Sequence, residues 1–136
     1  MDDTVVYGGF GAPLETEADF DTVTARVLYN PSSIPGPVKR HLIATTNARA
    51  DFINKLAVSV REGANHDPSD RITTLSVPVM VLWAQEDAVV PFAVALDYAD
   101  RILDVELVLL PGAGHSPQME APVRVADAIR TFLKDQ

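Results

Sequence analysis

At 136 residues the chain is long enough for one domain with a modest core, and with 47% apolar and 22% charged residues it has the make-up of an ordinary globular protein. A net charge of −8 excludes a nucleic-acid footprint, and the lack of cysteine excludes disulfides, thiolate metal sites and a cysteine nucleophile. No apolar run approaches the ~18 residues that would span a bilayer, and Asp2 and Asp3 do not suit a signal peptide, so the expectation is a cytoplasmic protein with no membrane partner.

Thr4–Tyr7 is a short β-branched and aromatic run that stops at Gly8-Gly9-Phe10-Gly11-Ala12-Pro13. It reads as a strand ending in a glycine turn. The glycines do not have G-x-G-x-x-G spacing and no helix opens directly after them, so a phosphate loop is the poorer reading. Thr16 then predicts a helix start, with Asp19 in the reciprocal position of a capping box. Phe20, Val23, Val27 and Leu28 share one face of that helix. The run 30–37, Asn-Pro-Ser-Ser-Ile-Pro-Gly-Pro, breaks it. A second helix is expected over Val38–Thr45. A third runs from near Asn47 to Arg61, with Phe52, Ile53, Leu56 and Val60 on its apolar face and Gly63 past its end. Asn65–Asp70 reads as a polar loop.

Val79–Ala84 and Val105–Leu110 are Val- and Leu-rich runs bounded by turn residues, the pattern of strands in a buried parallel sheet. Pro91–Leu103 predicts the crossover helix between them, with Phe92, Ala95, Ala99 and Ile102 as its buried stripe. Pro122 opens a last helix at a position where its missing N–H costs nothing. Val125, Ile129, Phe132 and Leu133 are expected to face the sheet, and Arg124, Asp127 and Lys134 water. Trp83, inside the first strand, reads as core.

Each strand runs into a polar loop, the first carrying Asp87 and the second His115, and sites in such sheets form beyond the carboxyl ends of the strands. By position alone Asp87 reads equally as an acid at the positive end of the following helix, and a histidine loop nearby favours the site. Glu86 reads as its solvated neighbour. A histidine in Gly112-Ala113-Gly114-His115 is poorly explained by packing and well placed to move protons. His41 and His66 read as surface residues. Three histidines without ligand spacing make no metal site, and no cofactor is expected.

The stretch from Pro78 to Asp87, closed by Pro91, resembles the seventh strand and acid loop of the α/β-hydrolases. Pro111-Gly-Ala-Gly-His115, followed by Glu120 and Pro122, resembles their eighth strand and histidine loop. The two lie in family order and 28 positions apart, and the chain departs from the usual pattern at Ala84, where the family has Gly. The resemblance implies an α/β fold of three parallel strands, a partial hydrolase sheet, with flanking helices and a helical lid. Residues 1–13 and 78–136 would form the core, and 14–77 the lid and its connection. Asp87 would orient His115, and His115 would act as general base and acid. Among relatives the pattern is nearest the meta-cleavage product hydrolases, which cleave C–C bonds. In those enzymes a lid arginine at the position of Arg40 holds a substrate carboxylate, although an exposed helix charge is the plainer reading of Arg40. They also usually carry Trp where Ser116 stands.

The chain has no G-x-S-x-G, and none of its six serines sits on a strand–turn–helix elbow. An acid and a base without a nucleophile perform no acyl transfer. The expectation is therefore the C-terminal portion of a hydrolase of C–C or ester bonds, inactive in isolation. Its partners would be a small-molecule substrate when whole, and a complementing N-terminal half or a second copy along the open edge of Thr4–Tyr7. The alternative is a non-catalytic binding module or an inactive truncated hydrolase.

Overall fold

The computed structural model describes residues 13–62 and 69–134. The expected strand Thr4–Tyr7, its glycine turn, Gly63 and His66 lie outside the described residues. The chain divides into two compact units, Met1–Ala25 with Pro31–Asp67, and Arg26–Asn30 with Pro68–Gln136.

The first unit is helical, built from α1 (Glu17–Val27, whose last two residues count with the second unit), α2 (Gly36–Asn47) and α3 (Ala50–Glu62). The capping box forms as read: Asp19 N–H donates to Thr16 Oγ1 at 3.1 Å, and Asp19 Oδ2 accepts Thr16 N–H at 2.8 Å. It also accepts Glu15 N–H at 3.0 Å. Pro35 and Pro37 start α2 two residues earlier than expected. Proline at the first turn loses no helical bond, and the Pro35 carbonyl accepts the N–H of Val38 and Lys39. The third helix starts later than expected because Ala48 and Arg49 close the end of α2 instead, with their N–H groups on Ala44 and Thr46 carbonyls. Asn47 pairs both ends of its amide with the backbone of buried Leu14, accepting its N–H at 2.9 Å and donating to its carbonyl at 2.8 Å. Lys39–Asp21 at 2.6 Å and Arg40–Glu17 at 2.7 Å join α2 to α1.

The second unit holds β1 (Val79–Ala84) and β2 (Val105–Leu110), paired in parallel from Val79↔Val105 to Ala84↔Leu110. Around them lie α4 (Ser69–Ile72), the crossover α5 (Ala93–Arg101), the single turn α6 (Pro117–Glu120) and α7 (Pro122–Lys134). Ala84, Val89, Ala95, Ile102, Leu110 and Ala113 are its buried core. Of the three strands expected, the described residues contain two. Among these residues no helix is long and apolar enough to cross a membrane.

Three expectations are corrected, and one element is added. Ser69 and Asp70 belong to a helical turn, not a loop, and the Arg71 carbonyl closes it by accepting both the N–H and the hydroxyl of Thr74. The turn α6 was not foreseen; it forms where Pro117 follows Ser116, whose carbonyl takes the N–H of Met119 and Glu120. Of the stripe expected for α5, Ala95 and the C-cap residue Ile102 are buried, but Phe92, the N-cap residue, is exposed. In α7, Ile129 and Leu133 are exposed.

Candidate active site

The two strands stay coupled beyond their ends. Gln85 N–H donates to Leu110 O at 3.0 Å and Glu86 N–H to Ala113 O at 3.3 Å, which keeps the acid loop and the histidine loop side by side. The turn after β1 is built on Asp87. Its Oδ1 accepts the N–H of Val89 at 2.8 Å and of Val90 at 2.9 Å, an Asx-type closure that fixes the carboxylate. Val89 is buried beneath it, and Trp83 Nε1–H reaches Val90 O at 3.3 Å, so the indole on β1 also braces the turn. With Oδ1 committed, Oδ2 is left to meet His115 Nδ1, at 2.9 Å. The Asp87 side chain is 6% exposed and that of His115 40%.

The histidine loop is held by Glu120, which belongs to its motif, and by Glu86 and Arg124, which were expected in solvent. Gly112 sits at φ +74, a left-handed conformation that a β-carbon disfavours, which is why the turn out of β2 takes glycine. Glu86 is not simply solvated: its Oε2 accepts Gly112 N–H at 2.8 Å and Ala113 N–H at 3.4 Å. Glu120 Oε2 accepts Gly114 N–H at 2.6 Å, and its Oε1 accepts Asn30 N–H at 3.0 Å. Arg124, expected to face water alone, donates to Pro111 O at 2.6 Å. Three successive loop amides need acceptors once the strand ends. Glu120 follows that loop closely in sequence and was legible as its neighbour, whereas Glu86 reaches it from 26 positions away.

The geometry assigns the imidazole tautomer. A carboxylate only accepts, so Nδ1 carries a proton, and in the neutral ring Nε2 is then the nitrogen with the free lone pair. A neutral histidine in that state takes a proton at Nε2 while the carboxylate supports the imidazolium that forms. Beside the pair lies a cavity of about 300 Å³, walled by Leu82, Trp83, Ala84 and Val125 and reaching Asp87 and His115. No serine lines it among the described residues. Arg40 belongs to the other unit, where it is 64% exposed and pairs with Glu17. His41 is exposed, as read. No three His, Asp or Glu side chains form a metal-holding group among the described residues.

Comparison with known proteins bears on what this pair belongs to. The model of the alpha/beta hydrolase family matches residues 5–128. Monoacylglycerol lipase ABHD6 of Homo sapiens is 27% identical over 101 residues, 74% of this chain and 30% of the relative. A membrane phospholipase A described as a bacterial virulence factor superposes with a TM-score of 0.81 at 20% identity, over 92% of this chain and 40% of that one. The meta-cleavage enzyme 2-hydroxy-6-oxo-6-phenylhexa-2,4-dienoate hydrolase from Rhodococcus superposes with a TM-score of 0.69 at 15% identity, over 97% and 49%. At these identities the superpositions speak for the fold alone. The chain spans less than a third of that curated relative and under half of either structure.

Proposed function

Because this chain belongs to the alpha/beta hydrolase family, we propose that it supplies the acid and the base of a Ser-His-Asp hydrolase. The observation that carries the reading is the 2.9 Å bond between His115 Nδ1 and Asp87 Oδ2. In the reaction, Nε2 of His115 takes the proton of a serine hydroxyl as that oxygen attacks an acyl carbon. The proton then passes to the departing alkoxide, the acyl-serine forms, and a water activated by the same nitrogen releases the acid. Asp87 supports the imidazolium at each stage without taking its proton. The sequence has no G-x-S-x-G, and in this reading the nucleophile and its oxyanion donors would be supplied from outside these 136 residues. A complementing N-terminal half or a longer product would bring them.

Ester hydrolysis is the preferred chemistry, in keeping with the lipase named above. Residues 1–13 and 78–136 would serve as the core, and 14–77 as the helical lid and its connection to the core. C–C cleavage is the second reading. There Arg40 would exchange Glu17 for a substrate carboxylate, at small cost because an exposed ion pair of this kind is worth ~1 kcal/mol or less.

The test compares the 136-residue chain with the product read from the coding sequence that continues upstream of Met1. The longer product should hydrolyse p-nitrophenyl esters, lose that activity in His115→Ala, and label at one serine with a fluorophosphonate. The short chain should do neither. Stoichiometric labelling of the short chain would reveal a nucleophile within it. An upstream stop codon, with no turnover, would favour a non-catalytic binding module.

A further inference from the structure

The carboxylate of Glu120 is committed at both oxygens. One takes Gly114 N–H at 2.6 Å, six positions away in sequence, and the other takes Asn30 N–H at 3.0 Å, 90 positions away. Both partners are donors, so an ionised carboxylate is the matching group. A glutamine would present one acceptor and one donor, and set an N–H against an N–H. Gly114 also backs onto the same segment more closely than any other residue could. A β-carbon there would lie 2.7 Å from Tyr29 N and 2.9 Å from Val27 O. His115 is thus set from two sides, its ring by Asp87 and the peptide before it by Glu120 and the segment Arg26–Asn30. That segment counts with the strand-bearing unit, while its neighbours in the chain, Ala25 and Pro31, count with the helical one.

We propose that Glu120 is a positioning residue for His115, bridging Gly114 to Asn30 so that the register of the segment Arg26–Asn30 sets where the imidazole stands. The proposal rests on the reading of His115 as the base, and adds the device that aims it. It predicts that loosening either end of the bridge loosens the ring bond to Asp87 while the sheet stays intact.

The test is NMR on the 136-residue chain, with E120Q, E120A and a packing control, I102V, on the far end of α5. The Nδ1–H proton of His115, held by Asp87 at 2.9 Å, should give a downfield signal protected from exchange. In E120A that signal should vanish into solvent exchange, and the Gly114 amide should exchange about tenfold faster. E120Q should keep protection at one of Gly114 and Asn30 and lose it at the other, with the Nδ1–H signal broadened. I102V should leave the signal unchanged at a comparable loss of global stability. If E120A does not fold, E120Q decides. An unchanged Nδ1–H signal and Gly114 exchange in E120Q would overturn the proposal, and so would equal losses in I102V. No turnover is read, so failure of the hydrolase reading and failure of the bridge remain separate results.

Discussion

Gly114→Ala measures how tightly the histidine loop is seated. The added carbon would stand 2.7 Å from Tyr29 N, 2.9 Å from Val27 O and 3.2 Å from Leu28 C. Ordinary contact begins at 3.4 Å, so the nearest atom must retreat by 3.4 − 2.7 = 0.7 Å. All three are backbone atoms, and no rotamer change relieves them. Overpacking of this kind costs about 1–3 kcal/mol. Gly114 has no left-handed φ, so alanine also stiffens the unfolded chain, which returns about 0.4–1 kcal/mol. The net is a loss of roughly 1–2 kcal/mol. Urea unfolding followed by circular dichroism reads it directly: with a slope of ~1–3 kcal/mol/M, the midpoint should fall by about 0.3–2 M. The sign is the decisive feature. If the loop were loosely seated, the entropic effect alone would remain, and the midpoint would rise. A midpoint equal to or above that of the parent refutes the close approach.

Gly112→Ala should also destabilise, for a different reason: nothing lies within 4 Å of its would-be β-carbon, but φ is +74, so the cost is the ~1–2 kcal/mol of a left-handed alanine. Gly112→Asn should recover part of it on the same urea curve. Hydrogen bonding holds the Asp19 carboxyl below its ordinary 3.8, first from the Thr16 side chain and next from the Thr16 backbone, against a small desolvation effect, with Glu15 N–H adding to it. A depressed folded-state value means that the cap's contribution is complete above about pH 4 and is lost as pH falls through the lowered value. Asp19→Asn should therefore narrow the gap to the parent in acid, and a gap that widens below pH 4 would contradict the assignment. Arg40→Ala should move the unfolding midpoint by no more than ~0.5 kcal/mol equivalent, because the Glu17 pair is exposed; a larger loss would mean the pair is structural.

Short-range physics made much of this molecule legible in the chain alone. The strands stand out because their apolar runs are bounded by turn residues. The Thr16–Asp19 box closes within one helical turn, and Asp87 fixes its own loop through Val89 and Val90. The pairing of Asp87 with His115 could be read because both follow the ends of strands that lie side by side. What depended on partners distant in the chain could not be read. Arg40 meets Glu17 from 23 positions away, Glu86 meets Gly112 from 26, and Glu120 meets Asn30 from 90. A glutamate's reach is the same whether it is solvated or clamped on a loop, and only the fold decides which amides come within it. The apolar face of α7 was legible as a face, but its extent of burial was not: Ile129 and Leu133 are exposed, and periodicity marks a face without saying how much of it the fold covers. Glycine at 114 could be read as a turn residue, yet it is glycine because the backbone of residues 27–29 passes against it, a contact that exists only once the chain has folded.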